Sequence, residues 1–135
     1  MIVADADLIA AFWIQSARTP AARRVRRRDA SWVVPPLWRS EFRSVLRQHL
    51  VGGRITLAQA RWFAEKAEAD LAGRERAVES AAVLGLASRT QHSTYDCEYV
   101  ALAEAEGVRL VTGDRAVARL FPGVAVLIED FAGGE

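Results

Sequence analysis

The sequence predicts an α/β fold built on a parallel sheet and organised as one domain over residues 1–135. Short apolar runs of strand length alternate with longer segments of helical periodicity along the whole chain. Half of the 135 residues are hydrophobic (51%), which suits a single domain with a core of its own. No internal repeat or low-complexity linker divides the chain. We therefore expect helices to connect successive parallel strands.

The first half of the chain carries clear start and stop signals. The apolar run at residues 1–4 ends in an acid, as a buried strand does when its carboxyl end opens into a site. Thr19-Pro20 begins a helix, and Pro35-Pro36 ends a strand and presets the next helix. Gly52-Gly53 and Gly73 each close a helix. These signals predict strands at 1–4 and 31–34 and helices at 5–17, 19–28, 37–51 and 56–72.

Capping residues mark the second half in the same way. Ser93 or Thr94 begins a helix that Gly107 ends, and Pro122-Gly123 forms a turn before the last apolar run. The pattern predicts helices at 79–90, 95–106 and 114–120, strands at 108–111 and 124–128, and a weak strand at 76–78.

Composition limits the classes of function. The formal net charge is +1, so no overall field favours nucleic acid or membrane. Every basic residue except Lys66 is an arginine, whose planar guanidinium fits phosphates, although codon-usage bias gives the same excess. Cys97 is the single cysteine, Asp5 and Asp7 lie where a signal peptide would be basic, and no apolar run approaches the length of a membrane span. We expect a cytoplasmic protein that does not contact the membrane.

Three acids are expected near one edge of the sheet. Asp5 follows the first strand and Asp114 follows the strand at 108–111. If these strands are neighbours, both acids lie at the carboxyl edge, where α/β sheets form their sites. Asp96 lies in the first turn of the helix that leads into the second of these strands, a position that compensation of the helix dipole explains equally well.

Glu41 is a fourth acid in an unusual setting. It lies at the edge of the apolar stripe of its helix, between Leu37 and Val45. A carboxylate half inside a core face is costly unless it is paired or bound to a metal. An arginine partner is the alternative explanation, with three candidates in Arg43, Arg47 and Arg61.

Four acids that point at one another repel, and a divalent cation resolves that repulsion. Mg²⁺ and Mn²⁺ take oxygen ligands and often share them with water and a substrate phosphate. The chain has only two histidines and no evident nucleophile–base pair. These observations favour metal-dependent hydrolysis of a phosphodiester.

Four segments carry a resemblance to a known family. The chain resembles the PIN-domain family, and most closely the VapC toxins of type II toxin–antitoxin pairs. The resemblance extends over nearly the whole chain and is most specific in the third segment. The segments are IVADADLI at 2–9, VPPLWRSEFRSVL at 34–46, STYDCEYVALAE at 93–104 and LVTGDRAV at 110–117.

The resemblance implies a three-layer α/β/α sandwich with a five-stranded parallel sheet. It implies an endoribonuclease that depends on Mg²⁺ or Mn²⁺, forms homodimers and is blocked by a cognate VapB-like antitoxin. By the same resemblance Asp5, Asp96 and Asp114 would bind the metal, Glu41 would bind it directly or through water, and Thr112 would support the site.

Three features near these acids allow more than one interpretation. The family commonly has a small polar residue at the position of Asp7, which either adds a carboxylate to the site or points aside and caps the first helix; we favour the second. Arg115, beside Asp114, is a candidate for binding a substrate phosphate. The run RRVRRR at 23–28 contacts an RNA backbone, docks an acidic antitoxin segment, or forms a solvated helix face.

Three other functions stay open. A PIN-like domain can act as a catalytically weak RNA-binding or assembly module, or as a stand-alone RNA-processing nuclease. The pair Asp5 and Asp7 after a strand also resembles the haloacid dehalogenase phosphatases, in which the first acid is a nucleophile. That chemistry needs a lysine near the phosphate, and Lys66 is predicted to lie on a surface helix.

Overall fold

Four short parallel strands form the centre of the fold, which a computed structural model describes for residues 1–134. Eight helices connect and cover these strands in the described residues. The elements in chain order are β1 (Ile2–Ala4), α1 (Ala6–Trp13), α2 (Thr19–Arg28), β2 (Trp32–Val33), α3 (Trp38–Val51), α4 (Leu57–Asp70), α5 (Ser80–Thr90), α6 (Thr94–Glu106), β3 (Leu110–Thr112), α7 (Arg115–Leu120), β4 (Ala125–Leu127) and α8 (Ile128–Ala132).

The strand order is β2-β1-β3-β4. All three pairings are parallel, and Val3 lies beside both Val33 of β2 and Leu110 of β3. The expected parallel α/β sheet is therefore confirmed, as is the neighbourhood of β1 and β3. This order brings the carboxyl ends of the two central strands together, and the segments after them start α1 and α7.

Within residues 1–134 the sheet has four strands, so the expected count of five was wrong. The segment beside β2 makes one isolated bridge, between Val34 and Glu75, and the weak strand predicted at 76–78 does not form. Val34 donates to the Arg74 carbonyl at 3.2 Å and accepts from the amide of Arg76 at 2.8 Å. The next two residues of the chain are Pro35 and Pro36, which have no amide hydrogen, so the ladder cannot continue.

Side chains alternate between the two faces of the sheet and build two separate cores. Ile2 and Ala4 pack into one core, while Val3 between them packs into the other. The first core includes residues of α1, α2, α3, α4 and α8, and the second includes residues of α5, α6 and α7. Helices on both faces of a sheet are the arrangement of a three-layer sandwich.

Local caps explain why most helices begin near their predicted positions. Thr56 and Gln59 form a reciprocal capping box at α4, and Ser93 caps α6, which ends at the left-handed Gly107. The helix α8 was not predicted, because residues 128–132 follow β4 without a turn signal. Among the residues that the structure describes, none of the helices is both long enough and apolar enough to cross a membrane.

Candidate functional site

A cleft of about 240 Å³ opens where β1 and β3 end. Five carboxylates from four parts of the chain line it, and no lysine, arginine or histidine is among its lining residues within 1–134. All four acids that the sequence singled out are included, together with Asp7. The lining residues are Asp5, Ala6, Asp7, Glu41, Ser44, Val45, Asp96, Tyr99, Leu110, Thr112, Asp114 and Val117.

Asp5 forms the floor of the cleft and is held by three hydrogen bonds. Its Oδ1 accepts the amide of Leu8 at 2.9 Å, which makes Asp5 the N-cap of α1. Its Oδ2 accepts the Thr112 hydroxyl at 2.6 Å and the amide of Gly113 at 3.2 Å. Burial raises the pKa of Asp5 to about 7, the charge of Asp7 adds to the rise, and the hydrogen bonds offset part of it.

Asp114 has the same relation to α7 that Asp5 has to α1. Its Oδ1 caps the helix by accepting the amides of Ala116 at 2.8 Å and Val117 at 3.1 Å. Its own amide donates to the Thr112 hydroxyl oxygen at 2.9 Å. Helix capping therefore uses one oxygen of Asp114 and leaves Oδ2 available to a ligand.

Glu41 enters the cleft from the first turn of α3. It is half-buried and forms no ion pair within residues 1–134. The alternative explanation, in which an arginine neutralises Glu41, was therefore wrong. Burial is the main cause that raises the pKa of Glu41, and the charges of Asp96 and Asp7 raise it further. The hydroxyl of Tyr99 lowers this pKa.

Asp96 lies in the first turn of α6, as predicted, and has a partner that the sequence did not indicate. Its amide donates to the Ser93 hydroxyl at 3.1 Å. Its Oδ2 lies 2.9 Å from Nε2 of His92, which packs edge-on against Phe121. His92 precedes the helix by two residues, and no sequence pattern connects it with the acids. The pair leaves Oδ1 of Asp96 as the free oxygen.

Asp7 belongs to the cleft and does not cap the first helix. The N-cap is Asp5, so the favoured interpretation of Asp7 was wrong. The pKa of Asp7 is raised, first by desolvation, while the Arg18 guanidinium lowers it and the charges of Asp114 and Asp96 raise it. Asp7 thus adds a fifth carboxylate to the cleft.

Arg18 supplies a cation next to this wall of the cleft. It donates from Nε to Glu129 at 2.9 Å and from Nη2 to the carbonyl of Gly113 at 3.1 Å. The guanidinium and Asp7 lie so close to Gly113 that a Cβ there would come within 2.7 Å of the Asp7 Cβ. Residue 113 therefore has to be glycine for these side chains to pack.

The arginines that the sequence indicated lie outside the cleft. Arg115 is exposed at the start of α7 and is not a lining residue. The run at 23–28 lies in α2, whose start is tied to Gly113 through Arg18. The helix is followed by Asp29, which binds the amino group of Met1 at 2.7 Å. The end of the run therefore lies near the amino end of β1, whereas the acids lie at the carboxyl ends of β1 and β3.

Tyr99 is a cleft residue that the sequence interpretation missed. It is 3% exposed, and within residues 1–134 its hydroxyl makes no hydrogen bond of good geometry. Burial and the nearby carboxylates raise its pKa, Glu41 first among them, so the hydroxyl stays protonated. Its position three residues after Asp96 on one helix was the available signal, because residues at that spacing share a helix face.

The donor set of the cleft suits a hard divalent cation, although its oxygens do not converge in advance. Among residues 1–134 no three Asp, Glu, His or Cys side chains already form a ready ligand set for a metal ion. One oxygen each of Asp5 and Asp114 is held by backbone amides that cap α1 and α7. The donors are all oxygens and one hydroxyl is unpartnered, which is the chemistry that Mg²⁺ and Mn²⁺ prefer.

Comparison with known proteins adds information on the fold. The chain is similar to the crystal structure of PAE2754 from Pyrobaculum aerophilum, with 23% identity and a TM-score of 0.73. The alignment covers 98% of this chain and 93% of that one. No protein-family model and no curated protein matches the chain. At this identity the likeness extends to the architecture over the full length of both proteins.

Proposed function

We propose that the chain is a PIN-like, metal-dependent endoribonuclease that cleaves RNA phosphodiester bonds. The observation that carries the proposal is the cleft, where five carboxylates meet and no basic side chain lines the wall in the described residues. Burial, together with repulsion among these groups, raises the pKa of Asp5, Asp7 and Glu41. A divalent cation removes that penalty more completely than protonation does, because it interacts with several carboxylates at once.

Four of the acids would hold Mg²⁺ or Mn²⁺. Asp114 and Asp96 each have one oxygen that no described group binds, and Glu41 has no ion partner among residues 1–134. Asp5 accepts three hydrogen bonds, so one of its lone pairs is left. When bound, the cation supplies Lewis-acid polarisation of the phosphoryl group and lowers the pKa of water.

The chain's own residues prepare the cleft for that chemistry. Thr112 and the backbone amides fix Asp5, so its orientation requires no rearrangement when a substrate binds. Glu41 has a raised pKa, which suits it to accept a proton from an attacking water. Arg115 follows the cleft residue Asp114 and is exposed, so its guanidinium is available to a flanking phosphate.

The biological setting that we propose comes from the sequence resemblance. The protein would be the toxin of a type II toxin–antitoxin pair. It would act in the cytoplasm as a homodimer, and a VapB-like antitoxin would hold it inactive. A stand-alone processing nuclease would use the same cleft. The phosphatase alternative gains no support, because Lys66 lies over the exposed Trp62 ring and does not line the cleft.

The test is cleavage of a labelled small-RNA pool by the purified protein with Mg²⁺, with Mn²⁺ and with EDTA. Asp96→Asn removes the charge of one proposed ligand. Glu104→Gln is the matched control, because Glu104 is exposed on the same helix and does not line the cleft. We expect discrete products with metal from the wild type and Glu104→Gln, and none from Asp96→Asn or in EDTA.

Two results would contradict the proposal. Cleavage that persists in EDTA and in Asp96→Asn would show that the acids are not the site. Binding of RNA without cleavage under every metal condition would favour a catalytically inactive RNA-binding module. Mapped cut ends from the active condition would identify the preferred RNA sequence.

A further inference from the structure

Tyr99 places a polar atom in the wall of the cleft without a hydrogen bond of good geometry. Its side chain is 3% exposed, and within residues 1–134 its hydroxyl lies near the Glu41 carboxylate but meets the full geometric criteria with no partner. An unpartnered buried hydroxyl is destabilising, and phenylalanine would fill the same space without that penalty. Packing therefore explains the ring of Tyr99 and leaves its hydroxyl unexplained.

The surroundings of the hydroxyl are acceptors. Tyr99 and Asp96 are three residues apart on α6, so they share the face that lines the cleft. Glu41 is the first of the charged groups that act on Tyr99, followed by Asp5 and Glu98, and all of them are carboxylates. A protonated phenol among carboxylates can serve only as a hydrogen-bond donor to them.

Glu41 is the carboxylate that most needs such a donor. It is half-buried and forms no ion pair within residues 1–134, whereas Asp96 pairs with His92 and Asp114 caps α7. Tyr99 is the one side chain in the described part of the chain that contacts Glu41 as a hydrogen-bond donor. Asp5, by comparison, already accepts three hydrogen bonds.

We infer that Tyr99 is a positioning residue of the proposed metal site: its hydroxyl donates to the Glu41 carboxylate and holds it, charged, facing the cleft. The inference rests on the proposed function. A donor to an ionised carboxylate favours the ionised form and restricts its rotation. In this role the buried hydroxyl has a purpose that phenylalanine could not serve.

The test is the affinity for Mn²⁺ alone, measured by isothermal titration calorimetry on the full chain. Tyr99→Phe removes one oxygen atom and keeps the ring. Tyr95→Phe is the matched control, because Tyr95 lies on the same helix and is 60% exposed. We expect Tyr99→Phe to weaken Mn²⁺ binding by about tenfold, as loss of a hydrogen bond to a metal ligand commonly does, and Tyr95→Phe to leave it unchanged.

Thermal unfolding in EDTA separates this role from a structural one. We expect Tyr99→Phe to unfold close to the temperature of the wild type, because the loss of the contact with Glu41 is offset by the removal of a buried polar atom that lacks a hydrogen bond of good geometry. A purely structural tyrosine would give no loss of metal affinity. The combination of weaker Mn²⁺ binding and undiminished stability is specific to the positioning role.

A spectroscopic measurement tests the same contact without changing Tyr99. The chain has two tyrosines, so 3-fluorotyrosine labelling of the Tyr95→Phe protein leaves one ¹⁹F resonance, from Tyr99. We expect Mg²⁺ to shift this resonance, and Glu41→Gln to abolish most of the shift. This measurement decides the question even where Tyr99→Phe does not fold.

The outcomes distinguish the inference from the function on which it rests. If Tyr99→Phe binds Mn²⁺ like the wild type while Asp96→Asn loses binding, the positioning role is wrong and the metal site stands. An unshifted ¹⁹F resonance in the presence of bound Mg²⁺ would overturn the role in the same way. If the wild type binds neither cation, the proposed function and the inference are both wrong.

Discussion

The hydroxyl of Thr112 donates a 2.6 Å hydrogen bond to Oδ2 of Asp5, although 107 residues separate the two in the chain. The same hydroxyl oxygen accepts the amide of Asp114 at 2.9 Å. One side chain at the end of β3 thus connects the two acids that the adjacent strands bring to the edge of the sheet.

Thr112→Val should destabilise the protein. Valine keeps the volume but leaves the Asp114 amide without its acceptor and Asp5 without one donor, at a cost of about 1–3 kcal/mol in the free energy of unfolding. Urea denaturation in EDTA measures this difference. Thr94→Val, at an exposed helix position, is the control and should change stability by less than about 0.5 kcal/mol. Equal stability of the two variants would mean that the Thr112 bonds contribute nothing.

The Asp5 carboxyl should make the stability of the metal-free protein depend on pH. Its pKa is raised from 3.8 to about 7 in the folded state, mainly by burial, and is near its ordinary value in the unfolded chain. Between these two pKa values the folded protein binds more protons than the unfolded chain. The free energy of unfolding should therefore be highest below about pH 4 for this group and fall as pH rises towards 7.

Asp5→Asn cannot titrate at this position and should flatten that dependence. Urea denaturation in EDTA at several pH values between about 4 and 8 gives the slope for each protein. Asp7 and Glu41 have raised pKa values as well, so a smaller slope of the same sign should remain. A wild-type stability that rises with pH across this window would contradict the assignment of Asp5 as the buried carboxyl.

Bound metal should stabilise the fold, and Asp114→Asn should remove that gain. Mn²⁺ at a hundred times its Kd adds about 2.7 kcal/mol to the free energy of unfolding. Asparagine caps helices as well as aspartate does, so the variant should match the wild type in EDTA. Thermal unfolding with and without Mn²⁺ tests both statements. The same Mn²⁺ increment in wild type and variant would exclude Asp114 as a ligand.

Two glycine substitutions should change stability in opposite directions. In Gly113→Ala the new Cβ would come within 2.7 Å of Asp7, and separating these groups should cost about 1–3 kcal/mol. Gly85 lies inside α5, where an added Cβ would meet no atom within 4 Å, so Gly85→Ala should gain about 0.5–1 kcal/mol. Chemical denaturation of both variants gives the comparison. A stable Gly113→Ala would show that Arg18 and Asp7 move aside freely.

The position of the arginines predicts which of them bind RNA. Arg115→Gln should lower the slope of log affinity against log salt by about 0.7, as expected for one lost phosphate contact on a single strand. The combined change of Arg23, Arg24 and Arg27 to Gln should leave the slope unchanged, because the run leads away from the cleft. Titrations with a non-cleaved RNA in EDTA at several salt concentrations measure both. A larger loss in the triple variant would reverse the assignment.

Most of the predicted secondary structure was recognisable from local features of the sequence, namely apolar runs and capping residues. Short apolar runs marked the four observed strands, and caps such as Thr56, Ser93 and Gly107 set the ends of α4 and α6. The adjacency of β1 and β3 was assumed from the alternation of strands and helices, and the observed strand order, which has these two strands side by side, places the four predicted acids around one cleft.

The features that were missed depend on contacts between distant segments. Whether residues 76–78 extend the sheet depends on the neighbour at Val34, which is followed by two prolines. The partnership of His92 with Asp96 requires the turn before α6 to fold back on the helix. Tyr99 looks like any core aromatic residue until its unpartnered hydroxyl is located in the cleft.

The two prolines after β2 also affect how copies of the chain can meet. An exposed strand edge is a template on which another polypeptide can add a strand and begin aggregation. Here Pro35 and Pro36 follow β2, one bridge to Glu75 covers its end, and the opposite edge strand, β4, is three residues long before α8 begins. Neither edge strand therefore has enough free backbone to pair with a strand of another chain. We expect copies of the chain to associate through helix surfaces instead.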